Sequence, residues 1–301
     1  METILVTGAA GQTRGAENAP SRRIQQGGTG RTVTQELLKL GYTVRAFVRL
    51  DDDRAQELRD LGAEVFVGDL RNIEQVAPAL EGVQRAYFNY PVRGGMPEAA
   101  ATFAAAARNA GVQRLVDVSM IYAGKDAGIT PHMQRHWVAE QVFSAAIPEA
   151  VHVEAAVFYE NMAVALGNGA GKELPLPLGA DTTDMPLVAS ADVVRVVLSL
   201  LTADKVSTDP VWLISEVPSI GQVAEAFGVP YVDVDPDEWR KLALDLYQDP
   251  ISVEHLSSLW AMLKAFGSGS GFFSRTDAFE KIGGQPPMSL QEFVASRNAA
   301  E

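Results

Sequence analysis

The residues with the clearest chemistry are the glycines that follow the first apolar run of the chain. Thr3 to Thr7 is typical of a buried strand, and it leads directly into Gly8 and Gly11. Glycines between a strand and a helix permit a tight turn and let the backbone approach a pyrophosphate group closely. The pattern predicts a phosphate-binding turn at the start of the chain.

A polar segment interrupts this turn. Arg14 stands where a third glycine would complete the motif. Without the 16 residues from Thr13 to Gly28, the sequence would read TGAAGQ-TGRTVTQELL, and Gly30 would complete G-x-x-G-x-x-G. The third glycine of such a motif lets the helix pack closely against the strand. We therefore interpret the segment as an insertion into a recognisable nucleotide-binding turn.

The inserted segment carries Arg14, Arg22 and Arg23 against the single acid Glu17. Its polar and glycine-rich composition cannot form a core and predicts a mobile loop. Loop insertions cost little chain entropy, so the fold should tolerate it. Two functional outcomes remain open. The arginines either cover an anionic ligand, or the excursion disrupts the cradle of N–H groups and weakens cofactor binding.

The end of the second strand bears on the choice of nucleotide. Arg49 stands where an Asp or Glu would bind the 2′-hydroxyl of NAD, and a guanidinium matches a 2′-phosphate. Arg54 is placed to assist, while the acids at 51–53 either repel that phosphate or cap the next helix. The residues favour NADP(H) over NAD(H).

Bulk properties exclude several classes of function. The chain has 301 residues, a net charge of −13 and no cysteine. Its acidity opposes binding to nucleic acid and anionic membranes, and the lack of cysteine excludes disulfides and thiolate sites. No signal peptide and no membrane span is expected. The expectation is a cytoplasmic monomer or homodimer that acts on a small molecule.

The elements that must position these residues alternate between strand and helix. Apolar runs predict strands at 3–7, 43–48, 64–67, 85–88, 114–118 and 151–157. Helical patterns at 33–40, 54–61, 73–80, 97–110 and 132–146 separate them. Strict alternation predicts an α/β fold with a doubly wound parallel sheet, whose ligands bind at the carboxyl ends of the strands.

The chain resembles the NmrA-like group of atypical short-chain dehydrogenases, which are NAD(P)-binding Rossmann-fold proteins. The resemblance lies in the segments ILVTGAAGQ, TGRTVTQELLKLGYTVRAFVR, VFVGDLRN, AYFNYPVRGG, RLVDVSMIYAG, RHWVAEQVF, VFYENM, LPLGADTTDMPLVASADVVRVVLSLL and PPMSLQEFV. It implies a dinucleotide-binding Rossmann core over residues 1–157, with the insert at about 13–28. A smaller, mainly helical substrate lobe is implied over 158–301, with 187–215 returning to the core.

The resemblance also implies where the reaction would occur. Typical short-chain dehydrogenases carry a Ser and then Tyr-x-x-x-Lys on one helix face. Here Ser119 closes the fifth strand, but His132 and His136 stand near the Tyr and Lys slots, with Glu140 a further turn along. The usual proton donor is therefore absent. His136 either holds the nicotinamide ribose, acts as an acid near neutral pH, or only caps and packs the helix.

Further residues are assigned through the same resemblance. Tyr90 and Pro91 are expected beside the nicotinamide, and Tyr159 and Asn161 at the substrate cleft. Asp69 either contacts adenine or stabilises a turn at the end of a strand. The complete expected cofactor set is Gly8, Gly11, Gln12, Gly30, Arg49, Asp69, Asn89, Pro91, Tyr159 and Asn161, and the catalytic candidates are His136, Ser119 and Tyr90. No metal site is expected, because no third ligand accompanies His132 and His136.

Two classes of function follow. The first is an NADP(H)-dependent reductase, an oxidoreductase acting on a small apolar carbonyl, quinone or conjugated substrate. The second is a non-redox protein on the same fold, either a dinucleotide-sensing regulator or a redox-silent isomerase or cyclase. The interrupted glycine turn and the absent Tyr-x-x-x-Lys pair keep the second class open.

Overall fold

The computed structural model describes residues 2–11, 28–125, 130–166, 171–269 and 271–298. Its strands are β1 (Thr3–Thr7), β2 (Thr43–Val48), β3 (Glu64–Val67), β4 (Arg85–Phe88), β5 (Arg114–Met120), β6 (Glu149–Ala155), β7 (Val157–Phe158), β8 (Leu174–Leu176), β9 (Leu187–Val188), β10 (Val211–Leu213) and β11 (Tyr231–Asp233). Seven of them form a sheet in the order β10-β6-β5-β4-β1-β2-β3, and every pair in it is parallel. The order reverses direction at β1, beside β4, which is where ligands of such sheets bind.

Helices cover both faces of this sheet. They are α1 (Thr29–Lys39), α2 (Asp53–Asp60), α3 (Ile73–Leu80), α4 (Met96–Ala110), α5 (Pro131–Ala146), α6 (Tyr159–Ala165), α7 (Ser190–Thr202), α8 (Ile220–Ala226), α9 (Pro236–Tyr247), α10 (Pro250–Phe266), α11 (Ala278–Lys281) and α12 (Leu290–Asn298). α3, α4 and α5 pack on one face, and α1 and α7 pack together on the other. The predicted doubly wound α/β fold is confirmed.

The alternation of side chains along the strands divides the core into two layers. In β5, Leu115 belongs to the cluster under α4 and α5, whereas Val116 belongs to the cluster on the opposite face. In β1, Leu5 and Ile4 divide in the same way. Successive side chains of a strand point to opposite faces, so a strand buried on both faces is apolar throughout.

Three elements, α1, β5 and β6, differ from the predicted bounds by two residues or more, and β5 continues to Met120 rather than ending at Val118. α1 begins at Thr29 rather than at Val33, because its first turn is polar and shows no apolar periodicity. β6 runs over 149–155 rather than 151–157. Glu149 joins it because its carboxylate pairs with Arg114 of the neighbouring strand at 2.7 Å. Pairing or packing extends α1, the end of β5 and the start of β6 beyond their apolar runs, whereas Val157 leaves β6 and pairs with Leu187 as part of β7.

The segment 187–215 contains α7 and β10, which complete the main sheet and its helical layer. β10 pairs with β6 at the edge, and Arg114 fixes the end of α7 by donating to the carbonyls of Leu200 and Ala203 at 3.0 and 2.6 Å. Two small two-stranded pairs lie outside the main sheet, β7 with β9 and β8 with β11. In α9 and α10, Trp239 and Trp260 are buried with ring centroids 6.3 Å apart. Across the described ranges, no helix is long and apolar enough to cross a membrane.

Candidate functional site

The glycine turn after β1 forms a closed loop at the carboxyl edge of the sheet. Gly8 and Gly11 have φ angles of +65° and +52°, which residues with a Cβ rarely adopt. The Gly11 N–H donates to the Gly8 carbonyl at 3.0 Å. A Cβ built on Gly11 would lie 3.7 Å from Cα of Gly28, so Gly11 is in contact with the last residue of the inserted segment. Gln12 and the predicted mobile loop, residues 13–27, lie outside the described residues.

Gly30 is the point of closest approach between α1 and β1. A Cβ at this position would lie 2.6 Å from the carbonyl oxygen of Gly8 and 2.7 Å from that of Thr7. Only glycine fits against these backbone atoms, as expected for the third glycine of the motif. Gly28, the N-cap residue of α1, provides no side-chain hydrogen bond to the first turn. The helix therefore begins with N–H groups that suit an anion.

A hydrogen-bond network joins this turn to the end of β4. The amide Nδ2 of Asn89 and the hydroxyl of Tyr87 each donate to Oγ1 of Thr29 at 3.0 Å. The Thr7 hydroxyl donates to the Asn89 carbonyl at 3.0 Å, and the Asn89 N–H donates to Thr7 Oγ1 at 2.8 Å. The network fixes Asn89 beside Gly8, whose built Cβ would lie 3.4 Å from the Asn89 carbonyl oxygen. Sequence reasoning missed Thr7 and Thr29.

Two arginines lie near the end of β2. Arg49 is exposed. Arg54 donates to the Gly11 carbonyl at 3.3 Å and to the Asp52 carboxylate at 2.9 Å. Asp52 also accepts from the N–H groups of Arg54 and Ala55 and caps α2. The acids at 51–53 were expected either to repel a 2′-phosphate or to cap the next helix, and Asp52 caps the helix.

Asp69 sits in the turn after β3. Its carboxylate accepts two hydrogen bonds from the Arg71 side chain, at 3.0 and 2.6 Å, and one from the Arg71 N–H at 2.9 Å. These bonds hold the pKa of Asp69 well below its usual range, and the charge of Arg49 adds to the effect. Asp69 thus stabilises the turn, while contact with adenine stays a prediction.

Tyr90 and Pro91 follow β4 at the same edge of the sheet. The Tyr90 hydroxyl donates to the Gly94 carbonyl at 3.2 Å, and burial raises its pKa, so the phenol is neutral at pH 7. Pro91 is exposed. Their placement beside nicotinamide stays a prediction.

The structure brings three imidazoles together between α5 and α10. The ring centroid of His132 lies 4.9 Å from that of His136 and 4.4 Å from that of His255. Burial is the main cause that lowers the pKa of His132 to about 4 and that of His255 to about 3. Burial and the two neighbouring rings lower the pKa of His136 well below its usual value. His136 is therefore neutral near pH 7, which disfavours the role of a protonated acid.

The third imidazole bears on the expected absence of a metal. The sequence indicated no partner for His132 and His136, yet His255 lies beside them from a distant part of the chain. Within the described ranges no group of three His, Asp or Glu side chains has a metal-binding arrangement.

Ser119 is buried near the end of β5, and its hydroxyl donates to the Glu140 carboxylate from α5. Burial is the main cause that raises the pKa of Glu140 to about 7. Sequence reasoning noted Glu140 only as a residue beyond the Tyr-x-x-x-Lys slots, and the structure makes it the direct partner of Ser119.

Tyr159, expected at the substrate cleft, lies at the start of α6. Its ring is fully buried, and its hydroxyl donates to the Glu216 carboxylate and to the Met288 carbonyl at 3.3 Å. These bonds tie α6 to the C-terminal segment, and the expected place of Tyr159 at the substrate cleft stays a prediction. Asn161 is partly buried on the same helix, and its expected role stays a prediction.

A group of aromatic side chains lies beyond the end of β5. The Tyr122 ring packs against Trp212 and Phe272, with centroids 4.9 and 4.7 Å apart, and its hydroxyl donates to the Phe272 carbonyl at 2.7 Å. Trp212 and Phe272 remain 39% and 43% exposed. Sequence reasoning did not identify this aromatic surface.

Comparison with known proteins supports the nucleotide-binding interpretation. Residues 26–162 match the NAD(P)H-binding family; the match begins near the end of the inserted segment and so omits β1. Sterol demethylase protein B of Methylococcus capsulatus is 32% identical over 148 residues, which cover 45% of this chain but only 39% of that protein.

Solved structures match nearly the whole chain. Triphenylmethane reductase of Citrobacter sp. superposes with a TM-score of 0.78 at 20% identity, over 99% of each chain. The NADPH-dependent quinone oxidoreductase of Escherichia coli, in complex with NADPH, has a TM-score of 0.78 at 18% identity, over 97% of this chain and 99% of that chain. NmrA, a negative transcriptional regulator in complex with NAD, has a TM-score of 0.69 at 20% identity, over 99% of this chain and 97% of that chain.

These superpositions establish the fold, and the family match indicates resemblance to NAD(P)H-binding proteins. The resemblance to NmrA-like proteins is confirmed. The chain has the Rossmann-type fold shared by NmrA and triphenylmethane reductase, and its residues 26–162 resemble the NAD(P)H-binding family.

Proposed function

We propose that this protein is an NADP(H)-dependent reductase that transfers hydride to a small apolar carbonyl, quinone or other conjugated substrate. The close packing of Gly30 against the backbone of Thr7 and Gly8 carries the proposal. It brings the start of α1 against the glycine turn even though 16 residues separate the two parts of the motif in sequence. A dinucleotide site needs this junction of turn and helix.

The residues present fit a dinucleotide. The turn at Gly8 and Gly11 and the first N–H groups of α1 would hold the pyrophosphate, and a Cβ at Gly30 would fill the cradle. Arg49 would pair with a 2′-phosphate, which favours NADP(H). The bound cofactor would supply hydride.

The aromatic surface of Tyr122, Trp212 and Phe272 supports a flat, conjugated acceptor. Tyr122 follows β5 directly, so this aromatic surface lies at the same edge of the sheet as Ser119. Flat aromatic side chains stack favourably on conjugated rings. The structural relatives act on triphenylmethane dyes and quinones, which are substrates of this kind.

Fluorescence titration with NADPH and NADH tests the cofactor assignment. We expect tighter binding of NADPH, and Arg49→Asp should weaken NADPH at least tenfold, about 1.4 kcal/mol, while changing NADH little. Arg108→Asp, a matched charge reversal at the last turn of α4, should leave the ratio of the two affinities unchanged. Equal affinities in the parent protein would refute the role of Arg49, and binding of neither nucleotide would refute the reductase.

A dinucleotide-sensing regulator is the second candidate. It is favoured by the absence of the Tyr-x-x-x-Lys pair and by the match to NmrA, a regulator in complex with NAD. NADPH oxidation with a panel of quinones and aryl ketones separates the two. Turnover supports the reductase, whereas nucleotide binding without turnover on any acceptor supports the regulator.

A further inference from the structure

Buried polar side chains line the face of β5 and β6 that α5 covers. The sheet register places Asp117 beside His152 and Ser119 beside Glu154. These four side chains and Glu140 of α5 are each at most 5% exposed. Buried carboxylates are normally paired with a cation. In the part of the chain that the structure describes, no Lys or Arg side chain forms an ion pair with Glu140 or Glu154.

One half of this cluster is internally paired. His152 Nδ1 lies 2.6 Å from an Asp117 oxygen, and its Nε2 lies 2.8 Å from the Ser144 hydroxyl of α5. Burial opposes a charge on His152, but the Asp117 carboxylate outweighs it and raises the pKa of the imidazole. Both ring nitrogens of His152 are thus engaged by Asp117 and Ser144, and His152 acts on Glu140 only through space.

The other half contains the two glutamates. Burial raises the pKa of Glu140 to about 7; the Ser119 hydrogen bond and His152 oppose this, and Asp117 adds to it. Burial and the charge of Glu140 raise the pKa of Glu154 to about 7, and its Oε2 has no hydrogen-bond partner. Near neutral pH both acids are therefore substantially protonated.

Ser119 lies between the two protonated glutamates and the carboxyl edge of the sheet. It lies one residue before the end of β5, two residues farther along than Asp117. When Glu140 is ionised, the Ser119 hydroxyl donates to it. When Glu140 is protonated, its O–H can donate to Ser119 Oγ, and the serine proton is free to point elsewhere.

We propose that Glu140 supplies the proton of the reduction through the hydroxyl of Ser119. The proposal rests on the reductase function given above. The bound cofactor would supply hydride to the acceptor carbon, and the C=O π electrons would then reside on oxygen, which needs a proton. That oxygen takes the Ser119 proton, Ser119 takes the Glu140 proton, and Glu140 recovers one from water.

The other candidates for the proton are less suitable. His136 is neutral near pH 7, because burial and the neighbouring imidazoles lower its pKa. The Tyr90 hydroxyl donates to the Gly94 carbonyl, and its pKa is raised by burial. Ser119 alone cannot replace a lost proton, so it needs an acid such as Glu140 in contact with it.

The first test compares the pH dependence of kcat for NADPH oxidation with a quinone or aryl ketone. In the parent protein kcat should fall tenfold per pH unit above about pH 7, because the acid form is required. Glu140→Gln should lower kcat at least tenfold at about pH 6.5 and remove this dependence, while the Kd for NADPH stays within twofold. Gln141→Ala, at an exposed position of α5 next to Glu140 in sequence, should keep the parent profile.

Ser119→Ala provides a second variant in case Glu140→Gln does not fold. It leaves the acid but removes the link, so it should lower kcat as much as Glu140→Gln, and the double variant should be no worse than either. A parent-like pH profile in both single variants would overturn the proposal and leave the reductase assignment intact. Absence of NADPH turnover in the parent would overturn both.

Infrared difference spectroscopy gives a readout that does not need turnover. The parent protein at about pH 6 should show the C=O band of a protonated buried carboxylic acid, and this band should weaken as the pH rises through about 7. Glu140→Gln should lack that contribution, whereas Gln141→Ala should keep it. If the parent and Glu140→Gln give the same carboxylic acid band, Glu140 is ionised and the proposal is wrong.

Discussion

The packing of Gly30 gives the sharpest test of the nucleotide site. In Gly30→Ala the added Cβ would lie 2.6 Å from the carbonyl oxygen of Gly8, 2.7 Å from its carbonyl carbon and 2.7 Å from the carbonyl oxygen of Thr7. All three are backbone atoms, so no side-chain rotation relieves the contact. α1 must move away from β1 by about 0.5–1 Å.

The expected cost follows from two opposing effects. Overpacking of this kind costs about 1–3 kcal/mol, while alanine in place of glycine favours a helix by up to about 1 kcal/mol. We expect a net loss of about 1–2 kcal/mol in the free energy of unfolding, seen as a Tm lower by roughly 2–5 °C. Because the turn and the start of α1 separate, NADPH binding should weaken at least tenfold.

Urea unfolding and NADPH titration measure the two effects separately. Gly82→Ala is the matched control, since Gly82 has a φ of +71° and an added Cβ would meet nothing within 4 Å. It should cost about 1 kcal/mol through its backbone conformation and leave NADPH affinity unchanged. If Gly30→Ala keeps both the parent stability and the parent Kd, the assignment of Gly30 as the third glycine is refuted.

Three further predictions concern the same end of the sheet. Thr29→Val leaves two donors without their acceptor and should cost about 1–3 kcal/mol in urea unfolding; a parent-like midpoint would contradict the network. In the parent protein, the pKa of His132 is about 4 in the folded state and about 6.5 in the unfolded state, so the unfolded state binds a proton first as the pH falls. His132→Phe removes this group and should therefore reduce the loss of unfolding free energy between pH 7 and pH 5 by about 2 kcal/mol. Stability therefore falls as the pH drops from about 6.5 towards 4, and identical pH profiles would refute this. Deleting Thr13–Gly27 should change Tm by only a few degrees, because Gly11 and Gly28 are in contact and the single residue Gln12 can connect them. An unfolded product would contradict this prediction. NADPH titration of the deletion variant shows whether the segment strengthens or weakens nucleotide binding.

Local patterns in the sequence predict the sheet well because strand and helix periodicity depend on near neighbours. The six predicted strands and five predicted helices occur, with shifts of two residues or more at α1, β5 and β6. The edge strand β10 was not predicted as a strand, because its three residues form too short a pattern to identify. The sequence indicated only that the segment 187–215 returns to the core. The division into domains stays a prediction.

The buried polar cluster had a signal in the sequence that was not used. In β5, Asp117 and Ser119 alternate with apolar residues, and in β6, His152 and Glu154 do the same. Polar residues two apart in a strand that is otherwise buried must share a face. Their pairing with Glu140 of α5 could not be read from this pattern, because it depends on how the helix lies across both strands.

The sequence by itself determined the alternating strands and helices, the repaired glycine motif and the NmrA-like resemblance. Each rests on spacing within a short stretch of chain, which local backbone geometry fixes. Only the tertiary structure decided that His255 joins His132, that the Tyr159 hydroxyl binds Glu216, and that Ser119 meets Glu140. These contacts join residues 21 to 123 positions apart, and crossover connections and helix packing, rather than local periodicity, bring them together.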